Sequence, residues 1–374
     1  VRSKPADEGA NPRIITWVPR HIQEQLKDTA SSARSMTNVV SSLWGPYPYS
    51  TLHVVPIGGY PNENWSMTQD GASGSWSCLA PGMAHPWEGF VDRPSGMLVS
   101  GVTTTPAFDV IESRFMDRFV KEGLSVGAFL QIVDLTRQWW GHMVPARSYR
   151  DVWLTEALSV WTGLAFLRGA AGTAAMKEKA KTLRDLAVEG AQVGLPLGLG
   201  ARLDRQFLFD GWGRGPLLIN ALVDELGGER FAQAINALIN RASGPGISTE
   251  VFAETLATLG TERSTRLAHD ALDGRVLPKI EYVVTIDKEA GAVSLRFDQL
   301  DQVLPLTIPV ELVFGPKKRL TRAVAIDGLS TEVRWEMPDL PKRVVIDPLG
   351  LVPAASMKRG SGDMSSDPTD EDAK

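Results

Sequence analysis

The stretch from residue 129 to 161, FLQIVDLTRQWWGHMVPARSYRDVWLTEALSVW, constrains this chain more than any other. Apolar residues recur at helical spacing on both sides of a turn containing Pro145: Phe129, Leu130, Ile132, Val133, Leu135, Trp139 and Trp140, then Val152, Trp153, Leu154, Leu158, Val160 and Trp161. That density predicts two interior helices. Asp134, Arg137 and Glu156 fall among them. A buried charge without a partner is strongly destabilising, so these three are expected to find each other. Arg137 follows Asp134 by about one turn, and its planar fork suits either carboxylate. The plainer alternative turns Arg137 out to solvent.

With 374 residues the chain has room for two or three domains and a large core. The net charge is −5 with both signs spread along the sequence, and no basic patch carries interleaved aromatics, so nucleic acid is not an expected partner. No apolar run is long enough for a membrane span, and residue 1 opens a polar stretch without a signal-peptide pattern. Cys78 is the single cysteine, which excludes an intrachain disulfide. No two of His21, His53, His85, His142 and His269 stand at metal-ligand spacing. Nucleophile motifs are missing too: there is no G-x-S-x-G, and Cys78 with His85 is a coincidence of composition. Gly211-Trp212-Gly213-Arg214-Gly215 lacks the G-K-[ST] ending and the preceding strand of a phosphate loop.

Residues 1–12 read as a flexible lead-in. Ile22, Leu26, Met36, Val39, Val40 and Leu43 mark a helix that ends at Gly45-Pro46-Tyr47-Pro48-Tyr49, before a strand over 51–57. A Gly/Ser/Pro/Trp-rich stretch over 66–101 reads as a long loop with an edge strand at 96–100. Helices are expected around 108–120, 173–189, 222–227, 229–239 and 249–259. From about residue 276 the pattern turns to alternation, with strands at 280–286, 292–297, 306–313, 323–326 and 344–346 and a hairpin turn at Lys288-Glu289-Ala290-Gly291. The end of the chain, from 354 to 374, reads as a disordered tail.

Several of these segments together resemble the aminopeptidase N-like gluzincin metallopeptidases. Gln138-Trp139-Trp140-Gly141 and Trp153-Leu154-Thr155-Glu156 match the family's Q-W-[FW]-G and W-L-x-E elements, and eighteen residues separate Arg137 from Glu156, the family spacing. Glu63-Asn64-Trp65 after the first strand resembles the end of its G-A-M-E-N-W element, where the glutamate grips a peptide's α-amino group; read without the family, it is a polar turn with a packed tryptophan. Trp212-Gly213-Arg214-Gly215 is similar to Y-x-K-G, and Val345-Ile346-Asp347-Pro348 to the ending of the family's β-sandwich. The likeness runs from about residue 23 to 351.

The resemblance implies an α+β chain. A thermolysin-like, mostly helical domain with a small sheet would span 13–275, with 66–101 as an insertion, and a small β-sandwich would span 276–353. It also implies a zinc site, and there the sequence departs. The H-E-x-x-H pentapeptide reads Val133-Asp134-Leu135-Thr136-Arg137, so both histidine positions and the general-base position are changed. Only Glu156 keeps its family residue, as a remnant ligand position. Trp212 stands where the family's tyrosine stabilises the oxyanion. Valine has no lone pair and arginine stays cationic, so no zinc and no catalytic residue is expected.

The expected role is therefore that of a non-catalytic homologue, a binding or scaffolding module for a peptide N-terminus or a protein partner, with Glu63, Asn64 and Trp65 as the binding edge. One alternative keeps aminopeptidase activity with an unusual metal site. Another makes the chain a subunit whose partner supplies the family's missing N-terminal β domain.

Overall fold

In a computed structural model of the chain, the described residues are 12–16, 26–56, 77–78, 95–102, 129, 132–133, 135–170, 172–197, 199, 209–242 and 245–360. Strand β1 (Arg13–Thr16) leads to helix α1 (Leu26–Trp44) and strand β2 (Thr51–Pro56). Two further strands, β3 (Ser77–Cys78) and β4 (Ser95–Val102), complete a parallel four-stranded sheet in the order β1-β2-β4-β3. One strand here was not foreseen and one expectation changes. Residues 13–16, which carry no strand signal beyond Ile14-Ile15, pair with β2 through Arg13↔Thr51 to Thr16↔Val54. The strand expected at the edge over 96–100 lies inside the sheet, hydrogen-bonded on both sides.

The buried stripe of α1 is Ala33, Thr37, Val40 and Trp44, whereas Leu43 is exposed. Thr37 can face the core because its hydroxyl donates to the Ala33 carbonyl at 2.7 Å, which satisfies the buried oxygen. The segment at Phe129, Ile132, Val133, Leu135 and Thr136 is helical, but the helix stops before Gln138 instead of running through Trp140. The carbonyls of Arg137, Gln138 and Trp139 then accept from the amides of His142, Met143 and Val144, five residues on. Gly141, at φ +132°, closes this wide turn in a conformation other residues rarely adopt.

Helix α2 (Val152–Ala170) is the axis of the molecule: every residue from Val152 to Val160 is buried. Helix α3 (Gly172–Val193) and a π-helical turn (Phe209–Arg214) pack beside it and feed into α4 (Gly215–Leu226). Next come α5 (Gly228–Ala242), α6 (Thr249–Leu259) and α7 (Glu262–Asp273). In α5 the buried residues Phe231, Ala234, Ile235, Leu238 and Ala242 trace one helical stripe. Helix α6 starts where Ser248 accepts from the Val251 amide, and α7 at a reciprocal cap between Thr261 and Ser264. The sequence reading had no helix over α7: its buried residues are only Ser264, Leu267, Ala268 and Leu272, a thin stripe in a polar segment. No helix among the described residues is long and apolar enough to cross a membrane.

The C-terminal part pairs two antiparallel-rich sheets. Their strands are β5 (Lys279–Asp287), β6 (Ala292–Leu300), β7 (Leu306–Val313), β8 (Arg319–Ile326), β9 (Ser330–Glu336), β10 (Arg343–Ile346) and β11 (Ser356–Arg359). One sheet has the order β10-β7-β8 and the other β11-β5-β6-β9. Five were expected. Strand β7 alternates as its sequence does, with Leu306, Ile308, Val310 and Leu312 buried. The expected β5–β6 turn is capped by the Asp287 carboxylate, which accepts from the amides of Glu289 and Ala290 at 3.1 and 2.9 Å. Strand β9 was missed because its residues are at most half-buried and carry little apolar alternation. Strand β11 falls in the stretch expected to be a disordered tail, yet it pairs in parallel with β5 from Ser356↔Lys279 to Arg359↔Tyr282. A polar strand can form there because the neighbouring strand supplies the hydrogen-bond ladder.

Candidate functional site

Three elements converge on Glu156, which α2 holds with its side chain almost fully buried. The end of the preceding helix brings Arg137, equally buried, whose Nε and Nη2 donate to Oε1 and Oε2 of Glu156 at 3.1 and 2.7 Å. This two-pronged geometry is the strongest common form of ion pair. Of the two arrangements open to Arg137 in the sequence, the inward one is realised against Glu156. Asp134, the other carboxylate considered, lies outside the described residues, as do Glu63, Asn64 and Trp65.

The third element is the π-helical turn, pressed against α2 and α3 by its glycines. A Cβ on Gly211 would lie 3.0 Å from the Cβ of Glu156. On Gly213 it would lie 2.6 Å from the Ala187 backbone nitrogen, and on Gly215 2.7 Å from the Ala157 Cβ. The alternating glycines of G-W-G-R-G are therefore a packing device, which allows backbone to touch backbone. Between them the turn carries its own buried pair. Arg214 donates from Nε and Nη2 to Oδ1 of Asp210 at 3.0 and 2.5 Å, and from Nη1 to the Leu195 carbonyl at 2.8 Å. Sequence reasoning missed Asp210. Its signal was available: an acidic and a basic residue four apart inside a glycine-rich segment.

Val133 and Trp212 belong to one apolar cluster with Phe129, Val160, Leu164 and Leu217. Phe129 meets Trp212 edge to face at 6.3 Å, and Val133 rests in the notch left by Gly163, where a Cβ would come within 2.9 Å of its Cγ2. Moving one turn back along the first helix and two turns on along α2 thus changes the contact from Arg137 on Glu156 to Val133 on Gly163. The charge is pinned at one end of the crossing and the other end is dry.

Aromatic side chains buttress the Arg137 turn from outside. Tyr47 packs edge to face on Trp139 at 5.3 Å, and its hydroxyl donates to Oε1 of Gln138 at 3.4 Å. Burial, helped by the nearby Tyr49, pushes the Tyr47 phenol well above its ordinary range, so it stays neutral and structural. Trp44 meets Trp140 edge to face at 5.5 Å and donates from Nε1 to the Thr162 hydroxyl at 2.9 Å, tying α1 to α2. Among the described residues, no three His, Cys, Asp or Glu side chains converge as a metal-binding group.

No family model matches this sequence, and no curated protein matches it either. Among solved structures the fold is similar to that of Legionella pneumophila aminopeptidase A in complex with aspartic acid, with a TM-score of 0.63 at 13% identity over 97% of this chain and 38% of that one. A Deinococcus radiodurans zinc metallopeptidase mutant, bound to a Tyr-Ser-Ala substrate, has a TM-score of 0.47 at 18% identity, over 74% of this chain and 52% of that one. The chain spans little more than a third of the aminopeptidase A structure it resembles. The mixed helix-and-sheet fold thus resembles that of the aminopeptidase A structure.

Proposed function

We propose that this chain is a non-catalytic relative of the zinc aminopeptidases, which binds a peptide or protein partner instead of hydrolysing one. The observation that carries this reading is the buried fork between Arg137 and Glu156. Catalytic zinc in such a site takes three protein ligands and leaves a fourth position for water. Here Glu156 is the one donor at a family ligand position, and both its oxygens already accept from a guanidinium. An incoming cation would have to expel Arg137 and leave a second positive charge buried beside it. Val133 offers no donor and is packed into an apolar notch. These residues do not fit zinc.

The loss of chemistry extends to the oxyanion position in this reading. Trp212 is buried against Phe129 instead of presenting a phenol. What remains is a scaffold in which a fixed guanidinium supplies the positive charge that an ion would otherwise bring. The binding edge we assign to Glu63, Asn64 and Trp65, with the Glu63 carboxylate as the group that holds a free α-amino terminus.

Purified full-length protein tests this directly. We expect no stoichiometric zinc after dialysis against the metal, and no chelator-sensitive hydrolysis of aminoacyl reporters. Stoichiometric zinc together with such hydrolysis would overturn the reading. Binding is tested separately with a fluorescent peptide. A free N-terminus should bind more tightly than its acetylated form, and Glu63→Gln should remove the difference.

A further inference from the structure

Two basic runs, Lys317-Lys318-Arg319 and Lys342-Arg343, stand apart in the sequence, and the sandwich brings them to one place. Val313 is the residue they share. Arg343 on β10 and Arg319 on β8 pair with it from either side, and the Lys342 amide donates to its carbonyl at 2.8 Å. Residues directly opposite in antiparallel strands point to the same face, so the two arginines flank Val313. The β7–β8 turn adds Lys317 and Lys318: the Phe314 amide donates to the Lys318 carbonyl at 2.9 Å, and the Lys318 ammonium lies 5.1 Å from the centre of the Phe314 ring. All five cations are exposed. Glu311 meets Arg319 at 3.0 Å and Asp339 meets Lys318 at 2.8 Å, whereas Lys317, Lys342 and Arg343 have no ion pair among the described residues. At the same end of the other sheet the charges nearly balance, with Asp287, Glu289 and Glu336 against Lys288 and Arg334. On a chain of net charge −5 the end of the β10-β7-β8 sheet is a local positive excess.

The described chain finishes on a course towards it. Strands β8 and β9 are touching edges of the two sheets, which makes β10 and β11 the edges on the other side. Strand β11 runs parallel to β5, and beyond it the Gly360 amide donates to the Tyr282 carbonyl at 2.9 Å. From Tyr282, β5 continues to Asp287, about 17 Å at the rise of a strand. It ends where the β5–β6, β7–β8 and β9–β10 connections all lie, the end that carries the basic runs. About five residues past Gly360 cover that distance, and about three more cross the 10 Å or so between packed sheets. The sequence there is acidic: Asp363, then Asp367, Asp370, Glu371 and Asp372, against Lys374 alone.

We propose that residues 367–372, Asp-Pro-Thr-Asp-Glu-Asp, dock on the patch formed by Lys317, Lys318, Arg319, Lys342 and Arg343, as a strap over this end of the sandwich. The short tether from Gly360 holds the carboxylates at high local concentration beside the patch. The pairs are between exposed charges, so each is weak and salt weakens them together.

Zero-length carbodiimide cross-linking of the full chain, read by peptide mass spectrometry, tests this. Lys317, Lys318 and Lys342 should join to the carboxylates of 367–372 within one molecule. Raising the salt from about 0.01 to 1 M should cut that yield about tenfold, since the screening length falls below the size of the patch. A segment that is merely tethered nearby would ignore the arginines. Arg319→Gln/Arg343→Gln, which keeps every lysine, should therefore lower the yield at low salt by a similar factor. The same reaction on mixed isotope-labelled and unlabelled chains identifies the occupant: cross-links joining the two labels place a second copy on the patch and overturn the proposal. So would an absence of cross-links at these lysines, or a yield indifferent to salt or to the loss of the two arginines.

Discussion

Arg137 and Glu156, nineteen positions apart in the chain, close a buried two-pronged ion pair where two interior helices cross. Each is nearly inaccessible to water. The pair costs desolvation on both sides, and its energetic meaning lies less in its net worth than in what happens when half of it is removed.

Removing one partner should therefore be far worse than removing both. Arg137→Met leaves a buried carboxylate alone and is expected to cost about 3–5 kcal/mol. The double variant Arg137→Met/Glu156→Leu should recover most of that loss. Urea unfolding of the two single variants and the double gives the cycle; a double-variant loss equal to the sum of the two single losses would mean the pair is not coupled.

Zinc should leave the wild-type unfolding midpoint unchanged. In Val133→His/Asp134→Glu/Arg137→His the helix carries two imidazoles four residues apart beside Glu156's helix, and the midpoint should rise with zinc concentration. The larger histidine at 133 must repack against Gly163, so the apo variant should be less stable than wild type by about 1–3 kcal/mol. Calorimetry with and without zinc measures both effects.

Glycines divide by their surroundings. Gly213→Ala would bring a Cβ to 2.6 Å from the Ala187 backbone nitrogen, and neither backbone can give way. We expect a loss of about 1–3 kcal/mol. Gly169, on the exposed side of α2, has nothing within 4 Å of the corresponding point. Gly169→Ala should stabilise by about 0.5–1 kcal/mol through helix propensity. Thermal denaturation of the two variants side by side distinguishes a packing glycine from an incidental one.

Lys179 is buried on α3, and burial lowers its ammonium to about 8. A folded value below the ordinary lysine value of 10.5 means that the folded protein gives up this proton first as pH rises. Stability should accordingly climb between about pH 8 and 10.5 relative to Lys179→Met, in which that slope disappears. Denaturant midpoints across this range read the difference, and parallel curves would contradict it.

Sequence alone determined the interior helices, the Arg137 and Glu156 positions, the alternation of β7 and the fold likeness, because apolar periodicity and motif spacing are local properties of the chain. It fell short wherever a neighbour makes the decision. Strand β11 is polar and forms because β5 lends it a ladder; β4 is interior because β3 pairs with its free side. The helix before Glu156 stops early because Gly141 turns the chain at a positive φ. Whether Arg137 faced inward depended on the nineteenth residue after it lying within 3 Å of its guanidinium. Spacing allowed that contact, and only the crossing of two packed helices could make it, since a charge is buried only where its counter-charge is already held.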